Sequence, residues 1–244
     1  MTTISILTCV LGEPQALRVT ADSIKPYLSD RINWIIKFSD KSDKKFVESF
    51  AGEHINIYQK KDFSLYDALN QSLESCDSDY YIVLGAGDTV LPDGMRVLLE
   101  MLQAGSMTGV SYHAPILFKS TGAISNPNPG ALKHYMSCPH PSSLYMVKNS
   151  LAINGFDSSY RIAADYDHMS RYALTFGEGL LINSPPLVSF MGGGISDIRA
   201  LESHLEATLV RMRVWYTPDI RIYGDLLHET ANTIANNIRH NFNG

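Results

Sequence analysis

Four short apolar runs, each parted from the next by a helical pattern, set the strongest limit on what this chain can fold into. They occupy residues 3–10, 34–38, 55–58 and 80–84. Between them, Gly12-Glu13-Pro14 opens a helix that groups Leu17, Ala21, Ile24 and Leu28 on one face. A polar helix carrying Phe46 and Phe50 follows, then another over residues 65–75. The fourth run, Tyr80-Tyr81-Ile82-Val83-Leu84, is the clearest strand; it stops abruptly at Gly85-Ala86-Gly87-Asp88, and Pro92 begins a helix with Leu98, Leu99 and Leu102 inward. A β-α-β-α-β-α-β order predicts a Rossmann-like α/β fold, a mostly parallel sheet with helices on both faces. Ligands of such sheets bind beyond the carboxyl ends of the strands, here the loops after residues 10, 38, 58 and 84.

The second half is less regular. Residues 110–118 read as one strand, and residues 122–141 as a long loop rich in Pro, Asn and Gly. A short element at 143–146, a turn at Asn154-Gly155-Phe156-Asp157 and a helix over 166–176 come next. Residues 180–183 and 187–190 suggest two short strands, Gly192-Gly193-Gly194 a flexible loop, and the remainder from Ile198 is largely helical. No internal repeat and no convincing domain boundary interrupts the 244 residues, which suffice for one sizeable core. Residues 1–196 are expected to form one domain, with 197–244 a helical extension packed on it.

Charge and cysteine usage narrow the function classes. A net charge of −5 lacks the overall basic footprint of a nucleic-acid binder, so no nucleic-acid partner is expected. Cys9, Cys76 and Cys138 are far apart and show no zinc spacing, which argues against disulfides and structural zinc. Without a basic leader or an apolar stretch of the ~20 residues that cross a bilayer, a soluble cytoplasmic protein is expected.

Three acidic features converge on the predicted strand ends. Asp88 follows the clearest strand, and the glycines beside it allow a ligand close to the backbone. It could hold a divalent cation that binds a pyrophosphate, or merely cap the turn before Pro92; both readings are open. Asp62 and Asp67 surround a helix start, where capping, with Ser64 competing, and the helix dipole account for them, and by itself this segment suggests no site. Asp165 and Asp167, between apolar residues at a helix entrance, could supply a general base or simply cap that helix. His140, between Pro139 and Pro141, suits either a substrate contact or a loop histidine, and the glycine triplet a weak phosphate cradle. There is no G-x-x-x-x-G-K-[ST], G-x-G-x-x-G or G-x-S-x-G, against a P-loop NTPase, a dinucleotide-binding dehydrogenase and an α/β-hydrolase.

The order of these segments over residues 3–196 resembles the family 2 glycosyltransferases, closest to small bacterial enzymes assembling O-antigen and colanic acid. Asp62-Phe63-Ser64-Leu65-Tyr66-Asp67-Ala68-Leu69-Asn70 is similar to a family segment reading roughly Asp-x-Gly-Ile-Tyr-Asp-Ala-Met-Asn. Gly85-Ala86-Gly87-Asp88 resembles the metal-binding acidic motif, and His140 a histidine that precedes a strand. Gly155-Phe156-Asp157 with Ala163-Ala164-Asp165-Tyr166-Asp167 resembles the catalytic-base region, and Phe190 to Ser196 the Gly-Gly-x-Ser loop. The resemblance implies a GT-A fold and a metal-dependent inverting glycosyltransferase, hexosyltransferase-like. In it Asp88 would bind Mg²⁺ or Mn²⁺ on a nucleotide-sugar donor, and Asp165 would be the base. Asp62, Asp67, Asn70, Asp40, His140, Asp167, Gly193 and Ser196 would contact substrates. It also implies a lipid-linked or oligosaccharide acceptor in surface polysaccharide synthesis.

Two departures stand out. Phe38 occupies roughly the place of the aspartate that pairs with the nucleobase, with Asp40 or Asp43 as substitutes, and the acidic motif keeps only its last carboxylate. A nucleotidyltransferase would need a Gly-rich basic loop after the first strand, where Leu11-Gly12-Glu13-Pro14 stands instead. A catalytically degenerate nucleotide-sugar binding module is the other alternative. In the tail, Leu201, Leu205, Leu209 and Met212 fall in helical phase; packing on the domain, homodimerisation and contact with the cytoplasmic face of the inner membrane all suit them. Arg199, Arg211, Arg213 and Arg221 suit anionic headgroups or a solvated helix face.

Overall fold

The computed structural model describes residues 1–10 and 14–215. The first half alternates as expected: β1 (Ile4–Val10), α1 (Pro14–Ile24), β2 (Ile32–Phe38), α2 (Lys44–Glu48), β3 (Ile55–Gln59), α3 (Leu65–Glu74) and β4 (Tyr80–Val83). Then come β5 (Thr89–Val90), α4 (Pro92–Ala104), β6 (Ser111–His113), β7 (Ile116–Phe118), β8 (Ile124–Ser125), β9 (Ser143–Met146), α5 (Val147–Ala152) and α6 (Ala164–Phe176). The described part ends with β10 (Leu180–Leu181), β11 (Val188–Phe190), α7 (Ile195–Ile198), α8 (Ala200–Val210) and a turn of π-helix, Arg211–Trp215. Arg221 and the rest of the expected extension lie outside the described residues, as does the loop at Leu11-Gly12-Glu13.

Seven strands form the main sheet in the order β10-β6-β9-β4-β1-β2-β3. Only β9 runs against its neighbours; the other pairings are parallel. Successive side chains of a strand face opposite ways, and in the inner strands β1, β2, β4 and β9 both faces are largely buried. Ile4, Ile6, Trp34, Ile36, Phe38, Tyr80 and Ile82 meet Leu17, Ala21 and Ile24 of α1 and Met95, Leu98 and Leu102 of α4. Leu7, Ile35, Tyr81 and Tyr145 meet Leu69 and Leu73 of α3 and Met169 and Tyr172 of α6 on the other side.

From β1 the chain moves to β2 and β3 on one side, and β4 then lies on the other side of β1. That reversal opens a crevice beyond the carboxyl ends of β1 and β4, where an α/β sheet receives its ligand.

A second sheet, β5-β11-β7-β8, was not evident from the sequence. The single strand expected over residues 110–118 is divided: β6 joins the main sheet and β7 the small one. Pro115 lies between them; it has no N–H for a ladder and restricts the residue before it, so a change of sheet occurs there at little cost. The long loop also contains β8, which returns against β7.

Candidate active site

The loop after β4 is built around Asp88. Leu84 continues the strand's hydrogen bonding to the carbonyl of Leu7 at 2.9 Å, and Asp88 closes a turn by donating to the carbonyl of Gly85 at 3.1 Å. Gly87, at φ +105°, adopts a backbone that side-chain-bearing residues avoid. A Cβ at Gly85 would stand 2.8 Å from Asp88 Oδ2, so glycine makes room for the carboxylate. From α1, Thr20 secures the turn: its hydroxyl accepts from Gly87 N–H at 2.8 Å and donates to the Asp88 carbonyl at 2.8 Å. Asp88 Oδ1 accepts the N–H of Met191 at 2.8 Å, from the end of β11.

Only 5% of Asp88 is exposed. Burial pushes its carboxyl up to about 6, against the N–H groups of Met191 and Gly85, which favour the anion. The capping reading does not hold. The N-cap of α4 is Leu91, with no side-chain bond, and Asp88 takes no part in it.

Asp165 stands in the first turn of α6, whose N-cap is Ala163. The capping role considered for Asp165 is thus excluded too; its Oδ1 accepts the adjacent N–H of Tyr166 at 2.8 Å. It borders a cleft of about 380 Å³ shared with His140, Ser196 and Ser203, walled by Ile116, Phe118 and Phe190 of the small sheet. Burial, helped by the charge of Glu206, raises the Asp165 carboxyl to about 6. A helix N-terminus lowers a carboxyl's pKa, so here desolvation and the neighbouring charge prevail.

His140 is buried, stacked on Tyr145 and edge-on to Phe156. Burial, with the charge of His113, lowers it to about 4, so the ring is neutral at physiological pH. Its Nε2 is buried without a hydrogen-bond partner among the described residues. An unpaired polar atom at a cleft wall is a costly arrangement that a ligand hydroxyl would relieve.

Other expected contacts are placed differently. Asn70 grips the backbone of Phe156 from both sides, accepting its N–H and donating to its carbonyl, each at 2.8 Å. Asp167 is buried and binds Arg171, which in turn donates to the carbonyls of Ile153 and Gly155 at 2.6 and 2.7 Å. Neither borders the Asp165 cleft. Asp67 completes the cap of α3, accepting from Phe63 N–H at 2.9 Å while Ser64 accepts from Asp67 N–H. Asp62 does not cap at all; it pairs with Lys37, and both side chains are buried. Asp40 is exposed beyond β2, and Gly193 is exposed at φ +72° in the loop that joins β11 to α7.

Phe38, at the expected base-binding place, is buried against Phe46 and Phe50. The residue facing the Asp62 side is Lys37, which also donates to the carbonyl of Lys60 at 2.6 Å. A lysine inside an apolar run was a legible warning of such a pair. Thr20 and Glu206 gave no comparable signal, because each acts on a segment distant in the chain.

Among the described residues no three or more His, Cys, Asp or Glu side chains converge on a metal position. Asp88 offers a hard oxygen at the crevice. That suits a cation arriving with phosphate oxygens and water as its other ligands, the manner in which Mg²⁺ is held by one or two carboxylates plus substrate phosphates. No described helix is long and apolar enough to cross a membrane.

Neither a protein-family profile nor a curated protein matches this sequence. Solved structures do. S. aureus TarS residues 1–349 with UDP superimposes with a TM-score of 0.64 at 9% identity, over 95% of this chain and 71% of that one. The same fragment with UDP-GlcNAc gives 0.65 at 9% identity, over 95% and 72%. The mannosyltransferase PcManGT from Pyrobaculum calidifontis, with GDP-Man and Mn²⁺, gives 0.64 at 11%, over 93% and 68%. Of a longer TarS chain, this protein spans 43%. The likeness establishes the fold, which is GT-A.

Proposed function

We propose that this protein is a nucleotide-sugar-dependent glycosyltransferase that inverts the configuration of the sugar it moves. The observation that carries the reading is the placement of two carboxylates. Asp88 lies at the switch-point crevice, and the loop that holds it, leaving β11 at Met191, leads to the cleft of Asp165. The GT-A neighbours crystallised with UDP, UDP-GlcNAc and GDP-Man support a nucleotide-sugar donor in that crevice.

Asp88 would hold Mg²⁺ or Mn²⁺ on the donor diphosphate; such a cation neutralises charge on the departing diphosphate. Asp165, ionised above about pH 6, removes the proton of an acceptor hydroxyl. The oxygen forms its bond to the anomeric carbon from the face opposite the diphosphate, and the bond to the diphosphate oxygen breaks with its electron pair. Neutral His140 and Ser196 would bind the acceptor. Asp40, Asp62 and Asp67 would lie on the donor side, and the loop of Gly193 would approach the phosphates. The acceptor would be a lipid-linked or growing oligosaccharide of a surface polysaccharide, met at a membrane by the exposed Leu201, Leu205, Leu209 and Met212 of the C-terminal helices.

An acidic motif reduced to Asp88 after Gly85-Ala86-Gly87 favours one second reading, a module that binds a nucleotide sugar without turning it over. A thermal-shift series with UDP-, GDP- and dTDP-sugars, with and without Mn²⁺, tests the donor reading. One nucleotide should raise the melting temperature in a cation-dependent way, and Asp88→Ala should remove the dependence. No rise with any nucleotide sugar would end the proposal. Donor binding without product, in wild type and across acceptors, would favour the binding module.

A further inference from the structure

Glu206 lies on α8, far along the chain from Asp165, yet its carboxylate closes over the entrance to α6. Oε1 accepts the N–H of Arg161 at 2.9 Å, and Oε2 accepts those of Ile162 at 2.8 Å and Ala163 at 2.9 Å. These residues lead directly into the helix that carries Asp165. Ala163, the N-cap, has no side chain able to hold this turn. A carboxylate borrowed from another helix does so instead, where the positive end of the helix dipole favours a negative charge. From the opposite side, the Tyr66 hydroxyl of α3 donates to the Ile162 carbonyl, so the turn is held between two helices.

Resting on the reading of Asp165 as the base, we propose that Glu206 is its positioning residue, fixing through three backbone N–H groups the direction in which Asp165 enters the cleft. The neighbouring helix α8 contributes Ser203 and Ala207 to the same cleft, so one element both walls the site and orients its base. The charge of Glu206 also adds to the rise of the Asp165 carboxyl. The other groups facing Asp165 are Tyr66 from α3, held protonated by burial, and His140 from the turn before β9, held neutral. From α7, Ser196 borders the cleft. Glu206 is thus the charged neighbour whose removal makes Asp165 a weaker base.

The test compares pH profiles of kcat at saturating donor for wild type, Glu206→Gln and Glu206→Asp, with Asp165→Asn as the control. Circular dichroism checks that each variant is folded. Glu206→Gln should lower kcat about tenfold through misplacement of the base and move the acid limb to lower pH, with donor affinity measured by calorimetry unchanged. Glu206→Asp keeps the charge on a shorter stem, so kcat should fall while the limb stays in place. If Glu206→Gln fails to fold, Glu206→Asp decides alone: wild-type kcat would overturn the assignment. An unmoved limb with near-wild-type kcat in Glu206→Gln overturns it, as does an equal limb displacement in both variants. Full turnover by Asp165→Asn would refute the base itself and is recognised separately.

Discussion

The backbone N–H of Met191 donates to the carboxylate of Asp88 at 2.8 Å, tying the loop after β4 to the loop after β11. The bond extends a ladder in which Val188 faces Val90 and Ser189 faces Thr89. Asp88 therefore owes its direction to strand pairing as well as to its own turn, and its carboxylate is held at the crevice in a setting that disfavours its charge.

Asp88→Asn is expected to stabilise the fold while abolishing cation-dependent donor binding. A carboxyl raised from 3.8 to about 6 binds protons more tightly in the folded state, so stability falls as pH rises through that window and the whole cost is present above it. Roughly two units correspond to about 3 kcal/mol. Calorimetry should show the variant melting several degrees higher at about pH 7.5 and level with wild type at about pH 4. A lower melting temperature at neutral pH would contradict the burial cost.

For Asp165 the readout is turnover. At saturating donor, kcat should rise with an acid limb near pH 6, because the base works only when ionised. Asp165→Asn should lower kcat by about 10³ or more with the donor Kd, by titration calorimetry, unchanged. A limb at ordinary carboxylate pH, or a variant that turns over normally, would remove Asp165 from the role.

Thr20→Val keeps the volume and deletes the hydroxyl that both accepts from Gly87 and donates to the Asp88 carbonyl. An unpaired buried N–H costs about 1–3 kcal/mol, and the loosened turn should weaken donor binding about tenfold. Urea melts and calorimetry check the two effects together; stability lost with donor affinity intact would mean that Thr20 only supports the fold.

Lys37→Met strands the buried Asp62 carboxylate and should destabilise by about 3–5 kcal/mol, as expected when one partner of a buried pair is removed. Adding Asp62→Asn should recover much of the loss. Additive losses in the double-variant cycle would show that the two side chains are not energetically coupled.

Gly155→Ala should be among the more damaging small substitutions. Its φ of +59° disfavours a Cβ, which would meet Asn70 Oδ1 at 2.4 Å. Displacing Asn70 breaks both bonds to Phe156 and detaches the turn from α3. A loss of a few kcal/mol in a urea melt is expected, beyond the ~1 kcal/mol of backbone strain alone.

How much could be read in advance followed from how local each cause is. β1, β2, β3 and β4 are short apolar runs that lie side by side in the sheet, and α3 and α4 carry their own start signals in Ser64 and Pro92. The long helix α6 showed its inward face in Met169 and Tyr172. The small sheet was invisible because β5 and β8 have two residues each and are defined by partners elsewhere. At the site, Asp88 and Asp165 were suggested by strand end and helix start, but the roles of Asn70 and Asp167 depend on Phe156 and Arg171, packing that no residue pattern announces. Glu206 needed the fold outright, since its hydrogen-bonding partners precede it by two helices and two strands.

The four short strands of the second sheet carry an asymmetry with evolutionary meaning. One edge, β5, adjoins Asp88, while β7 and β11 present Ile116, Phe118 and Phe190 to the other chamber and β8 adds Ser125. Mutations on those outer walls can reshape one guest's berth without disturbing the carboxylate on the opposite rim. On the proposed reading, descendants of such a scaffold would be free to exchange acceptors while inheriting the same donor, so diversification of products would need no redesign of the rim that holds the sugar nucleotide.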